Sequence, residues 1–136
     1  MAWIRAMGGG DNYEPLMFPP NTGWSTSGTA TDITINGDTN MYAGNMTSAQ
    51  EANFTHNMKC GKNSHTITVD CYSMNQREYH VYVDGLSVAD QTVPAQSVVL
   101  INATVPAGNH VVTIKITNYG NANNAGNSYI RSVGTT

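Results

Sequence analysis

Apolar and polar residues alternate along several short stretches of the chain, and residues that favour turns separate these stretches. The clearest stretch places Tyr79, Val81 and Val83 on one face, directly before an Asp84-Gly85 turn. This two-residue period is that of a β-strand, and no segment of useful length has the 3.6-residue period of an amphipathic helix. Besides the stretch at 79–84, the pattern predicts strands at 31–36, 52–60, 66–72, 98–105, 112–117 and 128–133.

Roughly seven or eight short strands, with a turn about every 8–12 residues, are typical of a two-sheet sandwich or jelly roll. The length of 136 residues suits a single domain. We therefore predict an all-β fold in which residues 29–136 form a two-sheet jelly-roll β-sandwich. Residues 1–28 are rich in Gly and Pro, and we predict that they form an extended arm or long loop before it.

The predicted arm carries more large apolar side chains than a flexible tail normally does. We expect these side chains to be buried, either against this domain or against a neighbouring subunit. In the second case the arm would be an assembly device, which suits a virion or filament protein. The assembly residues of this hypothesis are Trp3, Ile4, Met7, Tyr13 and Phe18.

The scarcity of basic residues and the shortness of the apolar runs each exclude one class of partner. Charged residues make up only 11% of the chain, and its formal net charge is −3 with 6 Lys plus Arg. A protein that binds the nucleic-acid backbone needs a basic patch, and no run of even three basic residues occurs here. No stretch approaches the roughly 18 apolar residues of a membrane span. We therefore predict no nucleic-acid partner and no membrane insertion.

The two cysteines, Cys60 and Cys71, fall on the apolar sides of their predicted strands. Their spacing matches no zinc motif, and two cysteines are too few for a disulfide framework. Two buried free thiols are the expectation. A disulfide across paired strands is the alternative, which requires the two Cα atoms to lie within about 7 Å of each other.

Three stretches of the second half resemble jelly-roll carbohydrate-binding modules. The segment Tyr79-His-Val-Tyr-Val-Asp-Gly85 resembles a strand and turn of those modules, and Val105-Pro-Ala-Gly-Asn-His-Val-Val-Thr-Ile-Lys-Ile116 resembles the strand that follows. Residues 127–133 correspond in position to their final strand. The resemblance implies a jelly roll and recognition of glycans. The opening ten residues, MAWIRAMGGG, resemble the start of small structural proteins of tailed phages.

Such modules recognise sugars with exposed aromatic rings and with amide and carboxylate side chains. An aromatic ring offers a large apolar face, to which tyrosine and tryptophan add a polar group. The loop 119–127 joins one aromatic ring to several amides and is the best candidate. The alternative is a loop that merely turns, with Tyr119 packed on the edge of the sandwich. The candidate ligand-binding residues, on loops or outer strand faces, are Trp24, Tyr42, Tyr82, Tyr119, Asn121, Asn123 and Asn124.

We predict no cofactor, no metal ligands and no catalytic residues. The aspartates are scattered without an Asp-x-Asp loop, so a structural calcium is compatible with the chain only through backbone carbonyls and is not predicted. The four histidines share no ligand-like spacing. The chain has no Gly-x-Ser-x-Gly nucleophile elbow, and nothing marks out two of its carboxylates for glycoside hydrolysis. We therefore predict that the protein is not an enzyme.

These features together favour a virion surface protein of a tailed phage, located on the virion or outside the cell. Its carbohydrate-binding-like jelly roll would act in particle structure, as a decoration or tail- or fibre-associated protein, or in adhesion to glycans. The expected partners are further copies of the chain or other virion proteins, and surface glycans. The alternative is a carbohydrate-binding module excised from a bacterial secreted enzyme.

Overall fold

The computed structural model describes residues 12–47, 49–118 and 125–136. The regular secondary structure of these residues consists of β-strands, and none of the residues belongs to a helix that could cross a membrane. The strands of the described residues are β1 (Ser25–Gly28), β2 (Thr34–Ile35), β3 (Met41–Ala43), β4 (Glu51–Lys59), β5 (His65–Ser73), β6 (Arg77–Val83), β7 (Leu86–Val93), β8 (Ser97–Val105), β9 (Asn109–Asn118) and β10 (Ser128–Thr135).

The strands form two antiparallel sheets that pack face to face. The first sheet has the order β1-β4-β9-β6-β7, and the second has the order β2-β3-β10-β5-β8. The chain passes from one sheet to the other several times, as between β4 and β5 or between β7 and β8. One hydrophobic core draws residues from both sheets. The architecture is a jelly-roll sandwich, and the all-β prediction is confirmed.

The faces of the long strands follow the predicted alternation. In β5, Ile67, Val69 and Cys71 are completely buried, whereas the residues between them are partly exposed. Full burial of an aliphatic side chain stabilises the fold by about 1.5–3 kcal/mol relative to leaving it exposed, so these alternating positions form the core. Cys60 and Cys71 are both buried, and no disulfide joins them to each other, as the sequence predicted.

The alternation pattern does not delineate β1, β3 and β7. β1 and β7 are edge strands, and all four residues of β1 are exposed, so no apolar period marks it. β3 has only three residues, which is too short for a period to be read. β7 exposes its apolar Leu86 and Val88. These strands exist because a neighbouring strand offers them backbone hydrogen bonds, which a local pattern does not record.

The described part of the predicted arm lies along its own sandwich. Backbone bridges join Glu14 to Lys59 and Phe18 to Val133. Phe18 and Leu16 are almost completely buried and belong to the core. Of the two alternatives for the arm, its own domain or a neighbouring subunit, these residues pack against their own domain. Residues 25–28, which we had included in the arm, form β1 of the first sheet, so the sandwich begins before residue 29.

Tyr13 fastens the start of this segment to β5 and β10. Its ring stacks on the imidazole of His65 with a centroid separation of 3.6 Å and an interplanar angle of 4°. Its hydroxyl lies 2.8 Å from the hydroxyl of Thr135. The other proposed assembly residues, Trp3, Ile4 and Met7, lie outside the described residues.

Candidate functional site

Three tyrosines stand side by side on the outer face of the second sheet. The strand register places Tyr129 of β10 directly between Tyr42 of β3 and Tyr72 of β5. Each tyrosine alternates with buried neighbours in its strand, so its side chain leaves the sheet on the side away from the core. The ring centroids of Tyr42 and Tyr129 are 5.4 Å apart, and those of Tyr129 and Tyr72 are 6.1 Å apart. We call Tyr42, Tyr129 and Tyr72 the tyrosine row.

The hydroxyl groups at the two ends of the row have protein partners. The Tyr42 hydroxyl donates to Asn127 Oδ1 at 2.9 Å, and the Tyr72 hydroxyl lies 3.8 Å from Met74 Sδ. Burial, followed by the neighbouring Tyr129, raises the pKa of Tyr42. Among the described residues, none forms a hydrogen bond with the hydroxyl of Tyr129. The central ring therefore has a polar group that is open to a ligand.

A buried tyrosine of the first sheet supports the row from below. Tyr79 of β6 is completely buried, and its hydroxyl reaches across the core to the backbone of the second sheet. That hydroxyl lies 2.9 Å from the carbonyl oxygen of Tyr72 and 3.1 Å from that of Tyr129, and it accepts from the Tyr129 amide at 3.2 Å. Burial raises the pKa of Tyr79, so the phenol stays protonated and can donate. Tyr79 thereby ties together the two strands that carry the row.

An open depression of about 420 Å³ borders the row. Its only charged lining residue among those described is Arg131, which follows Tyr129 by two positions on the same face of β10. The guanidinium donates from Nε and Nη2 to the two carboxylate oxygens of Asp70, both at 3.0 Å, and this pairing raises the pKa of Arg131. The depression is lined by Thr39, Asn40, Tyr72, Met74, Tyr129 and Arg131.

The predicted ligand loop meets the row at its described end. Asn127, which closes the loop, accepts the hydroxyl of Tyr42. Its carbonyl accepts the amide of Met74 at 2.9 Å, and the Asn75 side chain donates to the carbonyl of Ala125 at 2.6 Å. The described end of the loop, residues 125–127, therefore lies beside Tyr42. Its four candidate residues, Tyr119, Asn121, Asn123 and Asn124, lie outside the described residues.

Trp24 and Tyr82 are not part of this surface. The structure buries Trp24, whose indole N–H donates to the carbonyl of Met17 at 2.9 Å, which corrects the expectation of an exposed ring. Tyr82 stands on the outer face of the first sheet, on the opposite side of the sandwich. There the ammonium of Lys115 lies 4.9 Å from the ring centroid of Tyr82 and 3.5 Å from a carboxylate oxygen of Glu51. The fold thus separates Tyr82 from Tyr42.

Two members of the row, Tyr72 and Tyr129, were not among the predicted site residues. Both occupy outward positions of predicted strands, next to inward residues such as Cys71 and Ile130. An outward aromatic residue in an alternating strand was the available signal. What the sequence lacked was the information that β3, β10 and β5 are neighbours.

The acidic side chains of the described residues do not form a calcium site. No group of three or more His, Cys, Asp or Glu side chains converges within residues 12–47, 49–118 and 125–136. The side-chain oxygen of Asn118 is buried and has no hydrogen-bond partner among the described residues, which is the kind of group that could coordinate a cation. However, Asn118 pairs across the sheet with the buried Arg77, whose positive charge opposes a second cation nearby. Calcium therefore enters none of the steps proposed below.

Comparison with known proteins identifies the fold. No family model and no curated protein matches the chain. A family 35 carbohydrate-binding module from an environmental isolate superposes with a TM-score of 0.60 at 15% identity, covering 90% of this chain and 92% of that one. A family 36 carbohydrate-binding module in complex with calcium and xylotriose gives 0.51 at 12% identity, with coverages of 82% and 99%.

A phage protein contains a similar domain. The enzymatically active domain of tailspike protein 4 of bacteriophage CBA120 superposes with a TM-score of 0.53 at 14% identity. The match covers 88% of this chain but only 20% of the tailspike chain. At identities this low, similarity of structure establishes similarity of fold and leaves function to the residues of the site. The chain has the jelly-roll fold of carbohydrate-binding modules.

Proposed function

We propose that this protein is a non-catalytic glycan-binding domain whose ligand rests on the tyrosine row. The observation that carries the proposal is the row itself, in which three aromatic side chains on adjacent strands share one outer face beside an open depression. Solvated sheet faces normally carry polar residues, so three neighbouring tyrosines call for an explanation. A binding platform for sugars supplies one.

The chemistry of the row suits a sugar. A pyranose presents C–H groups that pack on an aromatic ring and hydroxyl groups that need hydrogen-bond partners. A tyrosine offers the ring face to the first and its own hydroxyl to the second. The hydroxyl of Tyr129, which no described residue engages, the amide of Asn40 and the remaining N–H donors of Arg131 can bond hydroxyl groups. Asn127, which accepts the hydroxyl of Tyr42, adds an amide at that end of the row.

The row itself can be tested by substitution. Tyr129→Ala removes the central ring, and Tyr82→Ala removes an equally placed ring from the opposite outer face as a matched control. Interface tyrosines commonly contribute more than about 1 kcal/mol, so on a glycan array and by calorimetry we expect Tyr129→Ala to weaken binding by at least about fivefold. Tyr82→Ala should leave binding within about twofold. Binding that survives Tyr129→Ala in a folded variant would disprove the proposed site.

We further propose that the domain works on the surface of a tailed phage virion, in decoration of the particle or adhesion to glycans. The resemblance of the first ten residues to phage structural proteins and the similar domain of a phage tailspike support this setting. The second candidate is a module of a bacterial secreted enzyme, which the similarity to isolated carbohydrate-binding modules favours. The neighbouring genes discriminate the two, because capsid or tail genes would flank the first and a catalytic domain would adjoin the second.

Assembly through the arm can be tested without disturbing the core. Because Leu16 and Phe18 are core residues, the deletion should stop at residue 11. Light scattering of the full chain and of residues 12–136 then measures the mass of each. A multimer that becomes a monomer on deletion supports an assembly arm that includes Trp3, Ile4 and Met7. A multimer that persists removes the arm from the proposal. Failure to hydrolyse generic acyl and glycoside substrates would support the non-catalytic assignment.

A further inference from the structure

The geometry points to a ligand class for the tyrosine row: a single, uncharged glycan chain that crosses the strands, rather than an acidic polysaccharide or a crystalline surface. This inference rests on the proposed function and narrows it. It follows from the charges that line the row and from the angles between its rings.

The row offers no unpaired charge to a ligand among its described lining residues. Arg131 is the charged side chain that lines the depression, and two of its nitrogens already hold the carboxylate of Asp70. An acidic sugar would have to displace Asp70 or lie close to it, and the repulsion between two carboxylates opposes both arrangements. The net charge of −3 adds a long-range repulsion of polyanions. The other lining residues are neutral, as a neutral sugar requires.

The three rings do not share a plane. The interplanar angle is 35° between Tyr42 and Tyr129, and 38° between Tyr129 and Tyr72. Because the tyrosines stand on three adjacent strands, the twist of the sheet, roughly 20–25° per strand, contributes to this rotation. A flat crystal face cannot contact three rings in different planes. A single glycan chain rotates about each glycosidic bond and can follow them.

The direction and length of the bound chain follow from the register. The row runs across the strands and continues onto β8, where the half-exposed Val98 pairs with Tyr72. Each phenol ring and each pyranose ring has six members, so one tyrosine accommodates about one sugar. A chain that lies along the row therefore places three successive sugars on the three rings.

The ligand class can be measured with defined probes. Calorimetry would compare neutral cello-, manno-, xylo- and galacto-oligosaccharides, from disaccharide to hexasaccharide, with polygalacturonate and with microcrystalline cellulose and chitin. We expect at least one soluble neutral series to bind, with affinity that rises from disaccharide to trisaccharide and then levels off. Neither polygalacturonate nor the crystalline polymers should bind. Binding of an acidic or crystalline probe that Tyr129→Ala abolishes would overturn this inference and keep the proposed function. Absence of binding to every glycan would overturn both.

One substitution tests the argument from charge directly. Asp70→Asn leaves the guanidinium of Arg131 without its counter-charge beside the row. We expect this variant to bind polygalacturonate at low salt, where surface charges are least screened, at least about fivefold more tightly than the detection limit set by the parent protein. Glu51→Gln is the matched control, because it frees Lys115 on the opposite face and changes the net charge equally. An equal gain in both variants, or no gain in Asp70→Asn, would contradict the inference.

Discussion

The buried hydroxyl of Tyr79 makes the sharpest prediction about stability. Tyr79→Phe removes one oxygen atom and leaves the packing of the ring unchanged. The lost oxygen donates towards the carbonyls of Tyr72 and Tyr129 and accepts the amide of Tyr129. A buried polar group that loses its partner costs about 1–3 kcal/mol, so we expect the free energy of unfolding to fall by about 2 kcal/mol. For a chain of this size each 1 kcal/mol corresponds to roughly 3–5 °C in Tm.

Urea unfolding followed by circular dichroism measures the change. Tyr72→Phe is the control, because the hydroxyl that it removes is outside the core and, among the described residues, bonds the sulfur of Met74. We expect the control to lie within about 0.5 kcal/mol of the parent protein. If Tyr79→Phe also falls within that margin, the idea that its hydroxyl joins the two sheets under the row is refuted. A change in the slope of the unfolding free energy against urea concentration would instead indicate an altered unfolded or native state.

Two further predictions concern the hydrogen-bonded pair of Asp84 and His110 and the arm. Hydrogen bonds to Asp84 and to the carbonyl of Ala107 raise the pKa of His110 in the folded protein. The stabilisation that these bonds confer is therefore complete below about pH 6.5, the usual pKa of histidine. It is lost as the pH rises through the raised pKa of the folded state. The Tm difference between the parent protein and His110→Gln should therefore shrink from about pH 6 to about pH 8; a difference that stays constant, or grows, would contradict this account. Phe18→Ala should lower the free energy of unfolding by about 3–5 kcal/mol, because the ring is buried in the core. Met17→Ala, at a 46% exposed position, should lower it by less than about 0.5 kcal/mol. Equal losses in urea unfolding would mean that the arm does not dock on its own domain.

The side-chain direction within each long strand could be predicted from the sequence. A two-residue period states which side chains share a face, and burial of one face then decides which side is the core. The prediction for β5 therefore placed Ile67, Val69 and Cys71 inward, where they are. The same reasoning predicted an all-β sandwich and two buried thiols. The strand faces and the buried thiols depend on residues within one strand, and the sandwich prediction depends on the number and spacing of such strands.

The order of the strands, and with it the tyrosine row, was decided only by the tertiary structure. Tyr42, Tyr72 and Tyr129 are far apart in the sequence and meet because β10 lies between β3 and β5. The burial of Trp24 has the same origin, because it depends on where the segment before β1 meets the core. Contacts of this kind depend on the packing of whole sheets. A local period fixes the face on which a side chain lies, whereas its neighbours on that face are set by which strands share backbone hydrogen bonds.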